Sequence, residues 1–172
     1  MSPGVIRALA LGTAAALAGA HLAGCVYSFT GASVPAHLKT VAIPLVDDQS
    51  GFGEPGLREK FTNELISLFT ADNSLEVADR GTADSIIEGA IVSIGDAPAV
   101  VAQGEQVTRR RVTISARFAF QDRKLRKKVW EKTFSNWGDY DSGGGLSQRQ
   151  AGIQDAMRKI AEDVLLETVS GW

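Results

Sequence analysis

The sequence predicts an α/β sandwich of the α+β kind: one mixed sheet of four to five strands with two helices packed on one face. Three observations lead there. Between residues 39 and 78 a short extended run, a helical run and a second extended run follow one another. From 85 to 137, longer extended runs alternate with turn residues, and beyond 147 the apolar residues recur at helical spacing. A strand-helix-strand unit, an antiparallel meander and a closing helix bury their apolar faces most simply as two layers.

The elements follow in order. In Lys39 to Val46, Val41, Ile43 and Leu45 alternate with Ala42 and Pro44, which is a strand that Pro44 places at an edge or an irregularity. The glycine-rich loop Asp47 to Gly56 leads into Leu57, Phe61, Leu65, Leu68 and Phe69 at helical spacing, so a helix is expected from Pro55 to Ala71 with proline in its first turn. Asp72-Asn73-Ser74 breaks it, and Leu75 to Ala78 is a short second strand whose brief linker favours a parallel, right-handed crossover. Ser85 to Ile94, Val107 to Gln121 and Lys128 to Trp137 form the meander, with turns at Gly104 and at Asp122 to Lys127. Gly143-Gly144-Gly145 is a flexible joint. After it, Ser147 and Gln150 have the spacing of a capping box. Ile153, Ala156, Met157, Ile160, Ala161, Val164 and Leu165 make one stripe on a helix from Ser147 to Val169.

The N-terminus is of another kind. Arg7 precedes an apolar run from Ala8 to Ala20 broken only by Thr13, and Ala23 and Gly24 supply the small residues of a secretory cleavage site. From Ala8 to Gly24 there are 17 residues, with His21 among them, against the roughly 20 apolar residues of a bilayer span. The tetrapeptide Leu22-Ala23-Gly24-Cys25 resembles the lipobox of bacterial lipoproteins, which implies that Cys25 is acylated and that residues 1–24 are a signal peptide. Cys25 is the sole cysteine, so no disulfide can form within the chain. Several acyl chains hold a protein on a membrane where one holds only marginally. The residue after the cysteine is Val26 rather than Asp, which by the same resemblance favours the outer membrane, in its periplasmic leaflet. Residues 25–172 then make a single domain of ordinary size.

Chemistry is sparse. His21 leaves with the signal, so His37 stands alone and is expected to be an exposed or packing histidine. Asp47 and Asp48 lack the alternate oxygen spacing of a calcium loop and are expected in a plain acidic turn. Asp139 and Asp141 show no local difference in environment that would make one an acid and the other a base. No nucleophile elbow, phosphate loop or dinucleotide fingerprint occurs. The expectation is a protein that is not an enzyme, with no cofactor, no metal and, at a formal charge of −2, no nucleic-acid partner.

One polar pattern remains. Between Arg109 and Phe120, Val112, Ile114, Ala116, Phe118 and Phe120 share one side of the pleat, and Arg109, Arg111, Thr113, Ser115 and Arg117 share the other. Arg109, Arg111 and Arg117 are therefore candidate ligand-binding residues for phosphates or carboxylates, against the alternative of an ordinary solvated sheet face. Trp130, Phe134, Trp137 and Tyr140 are expected as core and rim packing.

Residues Cys25 to Phe29, Lys39 to Pro44 (KTVAIP), Glu54 to Leu57 (EPGL), Asp84 to Gly89 (DSIIEG), Val129-Trp130-Glu131, Phe134 and the closing helix, in this order, resemble the LptE family of lipopolysaccharide-assembly lipoproteins. The resemblance implies an α/β sandwich that plugs and assembles an LptD-type outer-membrane β-barrel and helps insert lipopolysaccharide at the cell surface. Its implied partners are that barrel, lipopolysaccharide and the membrane that holds the lipid anchor. The family's own ligand-contacting basic positions do not map residue by residue onto this chain. The other reading of such a chain is a different periplasmic lipoprotein module: a pilotin, a chaperone or a peptidoglycan-binding protein.

Overall fold

The computed structural model describes residues 34–99, 109–170 and 172. The signal-like segment, Cys25 and the Gly104 turn lie outside the described residues. In chain order the elements are β1 (Thr40–Ala42), β2 (Asp47–Asp48), α1 (Leu57–Asp72), β3 (Glu76–Val77), β4 (Ser85–Pro98), β5 (Arg109–Asp122), β6 (Lys127–Asp141), a 3-10 turn (Ser142–Gly144) and α2 (Gly145–Ser170).

They form one mixed sheet in the order β3-β1-β4-β5-β6, with β2 added alongside β4. The β3, β1, β2 and β4 pairings are parallel, and β4-β5-β6 is an antiparallel meander. Pro44 explains why the first extended run is split. It has no N–H to give to a ladder, so β1 stops at Ala42 and pairing with β4 resumes at Asp47. Six residues, Ala42 to Asp47, span the same stretch as five on β4, Ile86 to Ala90. Asp47 and Asp48 are therefore strand residues on the free edge of β4, not an acidic turn.

Helix α1 begins at Leu57, two residues later than expected, because Gly56 has φ 69° and a left-handed residue cannot continue a right-handed helix. Asn73, at φ 57°, ends it by donating its N–H to the Phe69 carbonyl. Buried Thr62 ties the helix to the sheet: its hydroxyl accepts the Val46 N–H at 2.9 Å and donates to the Arg58 carbonyl at 2.7 Å. Helix α2, by contrast, starts earlier than expected, at Gly145. Ser147 lies inside its first turn, with its hydroxyl against the Gly144 carbonyl, so the capping box does not form. Asp141 instead caps the 3-10 turn that precedes α2, accepting the Gly143 N–H at 2.8 Å, and the three glycines form that turn and the helix start instead of a flexible joint.

Both helices lie on one face. Leu57, Phe61, Leu65 and Phe69 of α1 and Ile153, Ala156, Met157, Ile160, Ala161 and Val164 of α2 join Val112, Ile114, Ala116, Phe118 and Phe120 in one core. Two glycines allow this closeness. A Cβ on Gly138 of β6 would sit 2.0 Å from the Gly152 carbonyl oxygen of α2, so strand and helix meet backbone to backbone. Gly89 of β4 lies under the ring of its cross-strand partner Phe118, where a Cβ would be 2.1 Å from a ring carbon. Phe118 in turn meets Phe61 edge to face at 5.6 Å.

Candidate functional site

The opposite face of the sheet carries the polar pattern seen in the sequence. On β5, Val112, Ile114, Ala116, Phe118 and Phe120 are buried, while Arg109, Thr113 and Arg117 are exposed and Arg111 and Ser115 half-buried. Register brings small residues beside them: Ala90, Ser93, Gly95 and Ala97 of β4 stand opposite Arg117, Ser115, Thr113 and Arg111. The Ser115 and Ser135 hydroxyls are 3.0 Å apart across β5 and β6. The middle of this face is thus a shallow polar floor with arginines standing on it.

The three arginines have different surroundings. Arg111 lies opposite Asp139 and donates through Nε at 2.6 Å and Nη2 at 2.9 Å, while its guanidinium stacks 5.0 Å over the half-exposed Trp137 ring. That two-point contact holds the Asp139 carboxyl below its ordinary range and raises Arg111 above its own. Asp139 is consequently a partner of Arg111. Arg109 faces Asp141 across the strands and adds a weaker pull on Asp139. Arg117 stands opposite Thr133, with the Glu131 carboxylate in its field. No ion pair within 4 Å involves Arg109 or Arg117 among the described residues.

At the end of the sandwich where α2 begins, the structure assembles a network that the sequence did not single out. Arg110 belongs to the helix-facing side of β5. Its Nε donates to Asp96 at 2.9 Å and to the Tyr140 hydroxyl at 3.0 Å, and Tyr140 donates to the other Asp96 oxygen at 2.8 Å. Arg149 of α2 reaches Asp96 at 3.3 Å and the buried Glu54 at 2.7 Å, and covers the Phe52 ring at 4.9 Å. Burial pushes the Asp96 carboxyl up, but the hydrogen bonds from Tyr140, Arg110 and Arg149 outweigh it and hold Asp96 below its ordinary value. The alternation on β5 carried the signal for this network. Arg110 shares a side with Val112, and a charge on an apolar face needs a partner; its distant partners could not be read from the chain.

His37, at the other end, has its Nε2 2.5 Å from the nearly buried Asp122 carboxylate. Burial raises Asp122, and the contacts with His37 and the Leu125 N–H more than offset it, leaving the carboxyl lowered. Of the four aromatics, Trp130 and Tyr140 are in the core, Phe134 is packed at its margin and Trp137 is exposed. Among the described residues no cluster of three or more His, Cys, Asp or Glu side chains has metal-binding geometry, and no helix is long and apolar enough to cross a membrane.

The model of the family described as LptE, lipopolysaccharide-assembly, matches residues 38–168, which take in every strand, α1 and all but the last two residues of α2. The chain belongs to the LptE family. That family consists of non-enzymatic lipoproteins of lipopolysaccharide assembly. Comparison with curated proteins gives no significant match. Among solved structures this LptE-family chain is similar to a Xanthomonas campestris protein at 12% identity and TM-score 0.58, over 80% of this chain and 90% of that one. A hypothetical protein of Chlamydia trachomatis matches at 11% identity and TM-score 0.54, over 76% and 98%. PelC from Paraburkholderia phytofirmans, a dodecamer, matches at 14% identity and TM-score 0.51, over 81% and 95%. At these identities the likeness concerns the fold alone.

Proposed function

We propose that the mature chain is a lipoprotein acylated at Cys25, held in the periplasmic leaflet of the outer membrane, that plugs and assembles an LptD-type β-barrel and assists passage of lipopolysaccharide to the cell surface. The observation that carries this reading is the family match over residues 38–168. The polar face of β4, β5 and β6 suits the role. Barrel lumens are lined by hydrophilic side chains, and a floor of Ser, Thr, Ala and Gly admits close approach while its arginines meet acidic groups of the barrel or phosphates of the lipid.

Affinity purification from detergent-solubilised outer membranes tests the plug. One β-barrel is expected in stoichiometric yield, and depletion of the chain is expected to lower barrel abundance and admit large antibiotics. Unchanged barrel levels and permeability after depletion would overturn the role. The anchor is tested separately: Cys25→Ala is expected to abolish labelling by palmitate and leave an uncleaved or soluble form, and persistent labelling would sink it.

A further inference from the structure

The β5-β6 turn concentrates cations with few acidic partners. Residues 123–128 read Arg-Lys-Leu-Arg-Lys-Lys, all six are exposed, and Leu125 at the tip is 66% exposed. Carboxylates neutralise two of the five cations: Lys124 pairs with Asp84 at 2.9 Å and Lys128 pairs with Glu131. Arg123 donates to the Arg80 and Ala83 carbonyls, which leaves its charge intact. Arg126 and Lys127 have no carboxylate within ion-pair distance among the described residues. Asp122, the acid within the turn, is turned inward to His37 and the Leu125 N–H.

Residues 37–39 pack at this same corner. Lys124 donates to the His37 carbonyl at 2.6 Å, His37 meets Asp122, and the Lys39 N–H donates to Asp84 at 2.8 Å. Val34 follows Cys25 by nine positions, a reach of at most about 30 Å even when fully extended. Trp172 lies at this end too, its ring 5.8 Å from Phe120. A lipid on Cys25 would therefore keep the turn close to a bilayer surface. Cations around an exposed leucine are the chemistry that adsorbs to anionic headgroups.

We propose that the β5-β6 turn, through Arg123, Arg126 and Lys127 with Leu125 at its tip, docks on the anionic phospholipid surface of the membrane that holds the chain's own anchor. The inference rests on acylation of Cys25 and goes beyond it. The tether limits distance, and the turn sets which end of the sandwich faces the lipid. The opposite end, with the Glu54, Asp96 and Arg149 network, is thereby directed away from the bilayer.

The test uses acylated full protein in vesicles, with a fluorophore on Leu125→Cys and headgroup-quencher lipids. Quenching is expected in vesicles of about 30% phosphatidylglycerol, a composition that gives a negative surface potential, and not in pure phosphatidylcholine. It should disappear at about 1 M salt, where the Debye length is ~3 Å. The same probe on Leu146→Cys, at the α2 start, should stay unquenched. The variant Arg126→Asn, Lys127→Gln keeps a residue tolerant of the φ 54° at position 126 and should melt like the parent while losing most of the Leu125 signal. Equal quenching in both lipids, or quenching unaffected by the double change, would overturn the docking. If mass measurement shows Cys25 without acyl chains, the anchor fails on its own account and the turn is read by parent-to-variant binding to the anionic vesicles. A drop of about 25-fold, roughly fivefold per cation, supports docking, and equal binding refutes it.

Discussion

The two faces of the sheet are made from the same three long strands and obey different rules. On the helix side, Phe118 covers Gly89 and meets Phe61, and Gly138 touches the backbone of α2, so each position is defined by the shape of its neighbours. On the other side, Ser115 meets Ser135 and Arg111 meets Asp139, contacts between polar groups that water can replace. Changes on the first face should therefore appear as lost stability. Changes on the second should leave the melt alone and appear in binding.

The largest expected effect is Gly138→Ala. The new methyl group would lie 2.0 Å from the Gly152 oxygen and 2.8 Å from its carbonyl carbon. Neither atom can rotate away, so α2 must lift from β6. Overpacking of this kind costs about 3 kcal/mol, a fall of roughly 10 °C in a thermal melt followed by circular dichroism. A change under about 1 kcal/mol would mean that the two elements slide freely, and the contrast between faces would lose its basis.

Next comes the network at the end of the core. Tyr140→Phe keeps the ring packed and deletes the hydroxyl that joins Asp96 to Arg110. A cost of about 1–2 kcal/mol is expected in urea unfolding, and no loss would show that Arg110 and Arg149 satisfy Asp96 without it. Acid sharpens the comparison further. Asp122 faces the interior and Asp139 the exterior, and both carboxyls are held below their ordinary values. A depressed folded pKa adds stability above the unfolded pKa, near 4, and that stability is lost as pH falls through the folded value. Asp122→Asn and Asp139→Asn should each flatten the pH dependence of stability below about pH 4, since each removes a carboxyl held below its ordinary value. An unchanged acid limb in either variant would mean that its cationic partner adds no linkage on that face.

Periodicity explains what the sequence disclosed. The α2 stripe and the β5 alternation are long and regular, so their buried sides could be read from residue spacing alone, and the family motif DSIIEG acquires a reason in the ring of Phe118 over Gly89. Boundaries failed where a single dihedral decided them. Pro55 was expected inside α1, but the left-handed Gly56 delays the helix, and the S-x-x-Q pattern at Ser147 fell inside a helix that already begins at Gly145, directly after the 3-10 turn capped by Asp141. The network was hidden for a different reason: Glu54, Asp96, Arg110, Tyr140 and Arg149 come from five separate segments, and only tertiary contact unites them.

The smallest effect on stability, and the one that bears on the proposed role, belongs to the outer arginines. Arg109, Arg111 and Arg117 were grouped by alternation, yet Arg111 has two donors engaged by Asp139 while the other two form no ion pair within 4 Å among the described residues. If the face meets phosphates of lipopolysaccharide or acidic groups of a barrel, the contribution of each arginine depends on donors it can still offer. Arg109→Gln and Arg117→Gln should each weaken binding more than Arg111→Gln, the pair together should weaken it further, and the deficit should shrink at high salt. All of these variants should melt within experimental error of the parent, since exposed cations contribute little to folding. Binding of purified protein to lipopolysaccharide at two salt concentrations measures the order. An order led by Arg111 would point to its stacked pair with Trp137 as the contact surface, and undiminished binding by all three variants would return this face to a solvated role.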